Sequence, residues 1–560
     1  MRLGIALVAA FTVLLAAPAS AQDMHTVSVT PPVNPTSIYY VRYDRWTAED
    51  ERGFGEFITA IGDSGCSSVN RCLHDPANPF RASDPDGTYF RADCADLPYV
   101  LRFYYAWKRG LPFGYQSVME PRGRGRDIRY TARGNDVAER MTVRSGERSG
   151  YGVMETLSDA ISSAAYRIHP ELEEPNIPDH YSPAINPKSI RPGTVIYDPN
   201  GHVATVYRVD ADGRIHYIDA HPDNSLTRGF YDLRFVRAFP GMGAGFKNWR
   251  SPRLVGGKRE RDGTYSGGIV VLPKNAEIAD YSVEQFFGNG TRPDDDHAWR
   301  EGEFWLNGDS LDYYDYVRAR LAGGRLEFDP VKEVRDMVVS NCADLHYRAD
   351  AVSLATSNGL INRNQPASLP DNIYGTDGDW ETYSTPSRDA RLKTAFKELR
   401  DAVARYIAMY QANDPHLNYK FNNLTVDLLT IYDRTAAQCT ITYTNTNGAK
   451  VSFGYEEARR RLFAMSFDPY QCIEHRWGAR DARELASCRD GETKRAWYAA
   501  EQNLRNQIDR TYDVQMGFSL GDLNGHVAGS GVPAPPDTDV RTFLWLNRAV
   551  QRGSKPVARQ

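Results

Sequence analysis

Hydrophobic positions along the chain change their period at recognisable points. From Thr47 to Gly62 acidic residues alternate with Phe54, Phe57 and Ile58 at helical spacing, which predicts an amphipathic helix. The run "CADLPYVLRFYYAWKRGLPF" predicts a second helix from Cys94 to about Lys108, stopped by Gly110 and Pro112. A third is expected over about 153–168. The period then shortens. "GTVIYD", "HVATVYRV" and "RIHYIDAH" read as strands, the last two joined by the turn signal Asp210-Ala211-Asp212-Gly213. A helix followed by an antiparallel meander predicts an α+β domain ending near residue 255. The Gly-rich stretch 256–268 reads as a linker, and residues 269–560 as a mostly helical domain, with helices expected near 309–321, 330–358, 386–411, 455–465 and 491–508.

A length of 560 residues exceeds one ordinary core. With 41% hydrophobic and 25% charged residues the composition is that of a globular chain, and a net charge of −5 gives no reason to expect nucleic acid as a partner. The first 21 residues carry Arg2, an apolar stretch and Ala19-Ser20-Ala21, the pattern of a secretory signal peptide. No later apolar run approaches the roughly 20 residues that span a bilayer, so no integral membrane segment is expected after cleavage. A periplasmic or secreted bacterial protein follows. In such a compartment cysteines tend to pair, and seven leave at least one free within a single chain. Sequence does not fix the pairing. One arrangement, Cys66–Cys72, Cys472–Cys488 and Cys342–Cys439, leaves Cys94 over.

A cysteine attacks as thiolate, and a helix start favours that anion. Cys94 sits at the expected start, after Asp93, a preferred N-cap type. A base and a group to orient it are then required. His202 opens a strand. On the next strand Asp219 and His221 share a face, so either can orient the imidazole, whereas His216 points the other way.

These two blocks, in this order, resemble the NlpC-like cell-wall cysteine peptidases, a papain-like family. "DCADLPYVLRFYYAWKRGLPF" is similar to the family's nucleophile helix, and "RPGTVIYDPNGHVATVYRVDADGRIHYIDAHP" to its strands, over about residues 85–255. The resemblance implies a papain-like fold with Cys94 as nucleophile, His202 as general base and Asp219 at the orienting position. Tyr89 falls near a tyrosine associated with the oxyanion site, and Asp93 is a further candidate for oxyanion or substrate contact. The implied activity is hydrolysis of an amide bond in peptidoglycan stem peptides, without cofactor or metal. An acyltransferase or protein-modifying enzyme on the same pair, and a non-catalytic wall-binding module, are the alternatives.

The chain departs from the family in places. Cys94 and His202 lie 108 positions apart, longer than usual, which predicts an insertion over about 120–190. The insertion holds eight arginines against four acids between 122 and 148; it reads as a solvated mobile loop or as a contact for an anionic polymer. Ala95-Asp96 replaces Ser-Gly, and Pro98 falls within the expected first helical turn. "CADL" recurs at 342–345 and "NGHVA" at 524–528, but no orienting strand follows His526, so one active site is expected, with Cys342 in a disulfide. Asp294-Asp295-Asp296-His297 reads as an acidic turn sooner than a metal site, and no phosphate-binding or dinucleotide motif is complete.

Overall fold

The computed structural model describes residues 36–123, 127–371, 378–383, 385–508, 516–530 and 532–553. The signal-peptide stretch lies outside them. The fold is mixed α/β, built around antiparallel sheets. The central one has six strands in the order His180–Tyr181, Gly245–Trp249, Val195–Asp198, His202–Val209, Ile215–Ala220, Leu226–Phe230, every neighbouring pair antiparallel.

The helices Ala48–Asp63 and Leu97–Arg109 lie on one face. Thr59 Oγ1 donates to the Tyr207 carbonyl at 2.9 Å, fixing the first helix on the sheet. The second helix is buried almost all round, which forces its polar residues to find partners. Lys108 pairs with Asp84 at 2.7 Å. Arg102 pairs with Glu51 at 2.6 Å, its guanidinium 3.4 Å from the centre of the Trp46 ring.

Residues expected to lie beyond the linker cover the sheet's other face. Gln285 bonds both the N–H and the carbonyl of Phe246, and Phe304, Tyr313, Tyr316 and Val317 pack with Ile196, Val206 and Phe246. The boundary near 255 is therefore corrected. Val195–Asp198 and residues 202–207 are buried throughout, and a sheet apolar on both faces needs a second cover. The stretch 256–268 is likewise no open tether. Arg253–Val255 pairs with Ile269–Val271, Lys258–Arg259 with Tyr265–Ser266, and Tyr265 N donates to Val41 O at 2.7 Å.

The arginine-rich insertion is also more ordered than a mobile loop. Gly114–Pro121 and Asn135–Thr142 form a hairpin. Arg140 bonds Asp179 at 2.6 Å, and Arg129 pairs with Asp127 and with Glu381 of the helical half. Charge pairing across the fold gives this segment a fixed geometry that its composition does not announce.

In the C-terminal half the helices Pro330–Ser357, Thr385–Ala412 and Leu424–Ala436 share a core with the hairpin Thr440–Thr444/Lys450–Gly454. Buried Arg348 grips Asp389 through two hydrogen bonds, at 2.8 and 2.9 Å, between the two long helices. Disulfides join Cys66 to Cys72, Cys342 to Cys439 and Cys472 to Cys488, leaving Cys94 free. Among the described residues no helix is long and apolar enough to cross a membrane.

Candidate active site

The turn Pro199-Asn200-Gly201 joins two sheet strands, with Asp198 opposite His202. Gly201 has φ 89°, a conformation in which side chains are strained, and a Cβ there would lie 3.0 Å from the Tyr130 hydroxyl. The glycine lets the strand begin at His202 and brings its own carbonyl oxygen to 3.9 Å from Cys94 Sγ. The backbone N–H of Val203 also lies close to the thiol. Cys94 thus lies against the two peptide units that flank His202, and both residues line one cleft of about 180 Å³.

His202 Nε2 donates to Asp219 Oδ2 at 2.7 Å. Asp219 Oδ1 accepts from the hydroxyl of Thr227, directly opposite on the following strand, and that oxygen accepts in turn from His221 Nε2 at 3.0 Å. Between the two orienting candidates, the hydrogen bond to His202 therefore comes from Asp219. His221 stands one layer out, 3.8 Å from the carboxylate, its ring centre 6.0 Å from that of His202. His216 bonds Asp210 on the opposite face.

The start of the nucleophile segment differs from expectation. The helix begins at Leu97, with Asp96 at its cap and Pro98 in its first turn, where a missing N–H costs nothing. Cys94 lies in the preceding turn. Asp93 Oδ1 accepts from the N–H groups of Ala95 and Asp96, at 2.7 and 3.3 Å, and the Asp93 carbonyl accepts from Leu97 N at 3.1 Å. These three backbone donors are thus occupied, two by the Asp93 carboxylate and one by its carbonyl, and are not free for an oxyanion. Asp93 lines the cleft as a backbone brace. Tyr89 is 54% exposed and lies outside the cleft lining, which corrects its oxyanion assignment. Asn200, 5% exposed and lining the cleft, has an Nδ2 without a partner among the described residues.

The electrostatics weigh against a resting thiolate at this partly buried thiol. Burial, and then the nearby Asp93 carboxylate, push the Cys94 thiol up; the Val203 N–H and Arg391 pull the other way without prevailing. Burial and then Arg391 push His202 down to about 3, against the pull of Asp219. Asp219 itself is driven up by burial but held below the ordinary carboxylate range by His221, His202 and Thr227. These directions favour a neutral thiol, a neutral imidazole and an ionised carboxylate at neutral pH. Since Nε2 carries the proton and donates it as a hydrogen bond to Asp219, the lone pair of His202 is on Nδ1.

The helical half closes the cleft, which the sequence did not announce. Asp344 and Tyr347 of the Pro330–Ser357 helix, and Arg388 and Arg391 of the Thr385–Ala412 helix, line it. Arg391 stands 4.0 Å from Asp219. No motif marks these residues; only the 3.6-residue period sets them on one face of each helix.

The second cysteine and histidine form no comparable set. Cys342 lies in the Pro330–Ser357 helix and is oxidised, and the second "NGHVA" lies in the Leu520–Ser530 helix. Asp295 caps a short helical turn by accepting from His297 N at 2.9 Å. Among the described residues three groups of side chains are close enough to share a metal ion. Two of them contain disulfide sulfurs, and in the third His169 pairs with Asp296 and Glu171 with Arg292.

No family model matches the chain, and no match was found among curated proteins or solved structures.

Proposed function

We propose that the protein is a cysteine hydrolase that cleaves an amide bond, with peptidoglycan stem peptides as the substrate class implied by the resemblance over residues 85–255. One observation carries the reading: the single cysteine outside the disulfides lies in a cleft against the turn that delivers His202, whose second nitrogen is held by ionised Asp219. An imidazole fixed in one tautomer by a buried carboxylate is the arrangement that general-base catalysis requires.

In the reaction Cys94 Sγ attacks the carbonyl carbon as its proton passes to His202 Nδ1. The resulting imidazolium is stabilised by Asp219. The C–N bond breaks as Nδ1 returns the proton to the leaving amine, giving a thioester. His202 then takes a proton from water, the hydroxide attacks the thioester, and the C–S bond breaks as Nδ1 returns that proton to Sγ, releasing the acid and restoring thiol and neutral imidazole. Asn200 Nδ2 is the candidate donor to the oxyanion, in place of the occupied backbone groups. Three disulfides suit an oxidising compartment, in keeping with action on the cell wall.

The test is mass analysis of muropeptides incubated with the intact protein and with Cys94→Ala. The intact protein should release one new amine and one new carboxylate, and the variant, still folded, none. Cleavage that survives in Cys94→Ala overturns the mechanism. Incorporation of an added amine in place of water would identify a transferase.

A further inference from the structure

Five arginines line the cleft. Arg129 is spent on Asp127 and Glu381. Arg228 is spent on the carbonyls of Gly62 and Cys66, and Arg234 on Asp232. Arg391 faces Asp219. Arg388 is different. It is only 8% exposed, and its one hydrogen bond is from Nη2 to the neutral hydroxyl of Tyr347, at 2.9 Å. Among the described residues its Nε and Nη1 are buried without hydrogen-bond partners and no carboxylate forms an ion pair with it; the guanidinium otherwise packs 4.6 Å from the centre of the Tyr347 ring.

A guanidinium stays charged in proteins, and a buried charge left unpaired is among the costliest arrangements a fold can retain. Arg388 lines the cleft, so the missing counter-charge can arrive from there. Its place there is fixed by stacking. The Tyr347 ring lies 4.5 Å from His221, and the His221 ring 6.0 Å from His202, so Arg388 stands two rings beyond the general base. That is the position of a substrate group near the scissile bond, not of the reacting atoms. Arg388 belongs to the helical half, outside the stretch that carries the family resemblance.

We infer that Arg388 is the anchor of a carboxylate-binding subsite, and that the substrate is an amide bearing a free carboxylate close to the bond that is cut. The inference builds on the hydrolase reading for the bond, but the subsite concerns what is held and is measured by binding alone. It gives the helical half a role: the Thr385–Ala412 helix delivers the subsite's anchor.

The probes are a synthetic stem tetrapeptide with free carboxylates and the same peptide fully amidated, titrated calorimetrically into full-length Cys94→Ala protein. The free acid should bind about ten- to a hundredfold more tightly, the worth of one charge-assisted hydrogen bond. Adding Arg388→Gln should abolish that preference. If that variant does not fold, Arg388→Lys is scored instead and should weaken the free acid at least threefold (roughly, by loss of the planar donor geometry) while sparing the amide. Equal affinities, no binding of either peptide, a preference that survives Arg388→Gln, or inorganic phosphate competing as well as the free acid would overturn the inference. Carboxylate-selective binding without hydrolysis by the intact protein leaves it standing and ends the hydrolase reading. Hydrolysis without discrimination does the reverse.

Discussion

Asp219→Asn removes one charge from the centre of the site with almost no change of shape. At 2.7 Å a carboxylate and an imidazolium attract by about 6 kcal/mol at an effective dielectric of 20. Much of that is offset by desolvation, and hydrogen bonds to charged groups contribute about 1.5–3 kcal/mol net. If the asparagine presents its oxygen to Nε2, kcat/KM should fall roughly ten- to a hundredfold, since each 1.4 kcal/mol is a factor of ten. If it presents its amide instead, the tautomer flips, Nδ1 becomes protonated, and the fall should reach roughly 10⁴-fold. Arg391, 4.0 Å from Asp219, supplies a control. In Asp219→Asn it faces a neutral amide and repels the imidazolium, so Asp219→Asn/Arg391→Met should recover part of the loss. Arg391→Met alone should raise His202 from about 3, measured by histidine proton NMR. The assay is kcat/KM on a stem-peptide substrate with thermal unfolding as the folding check. A folded Asp219→Asn variant within threefold of the parent, or a double variant no better than the single, would refute the assigned role of Asp219.

Two further outcomes follow from the same structure. With the thiol pushed up by burial and Asp93, iodoacetamide should alkylate Cys94 at pH 7 more slowly than a peptide thiol, itself only about 3% ionised, and the rate should climb through pH 9. Asp93→Asn keeps the oxygen that accepts from Ala95 and Asp96 and should speed alkylation about tenfold, one pKa unit's worth; a plateau reaching below pH 5 would instead show a resting thiolate–imidazolium pair. Replacing Cys342 and Cys439 by serine opens a loop of 97 residues and should cost up to about 4–5 kcal/mol, read as a lower urea midpoint; a loss under about 1 kcal/mol would mean that the helical half is held by packing alone.

The sequence by itself determined the local elements and the parity of the thiols. Helices stand at Ala48–Asp63, Leu97–Arg109, Pro330–Ser357 and Thr385–Ala412 because apolar residues repeat there at helical spacing, and strands at Val195–Asp198, His202–Val209 and Ile215–Ala220 because branched and aromatic residues cluster between turn signals. Those patterns are short-range, and so is the alternation that set Asp219 and His221 on one face.

Tertiary structure decided the rest. Whether Asp219 or His221 bonds His202 depends on strand register and on Thr227 across the sheet. The thiol's charge state depends on burial and on Asp93 outweighing the Val203 N–H and Arg391. The arginines that complete the cleft come from a helix some 290 residues beyond Cys94, the distance from 94 to 388. Period and propensity report which face of an element is buried. They carry no information on which distant face it is buried against, and a site assembled across two halves of a chain is a property of that second choice.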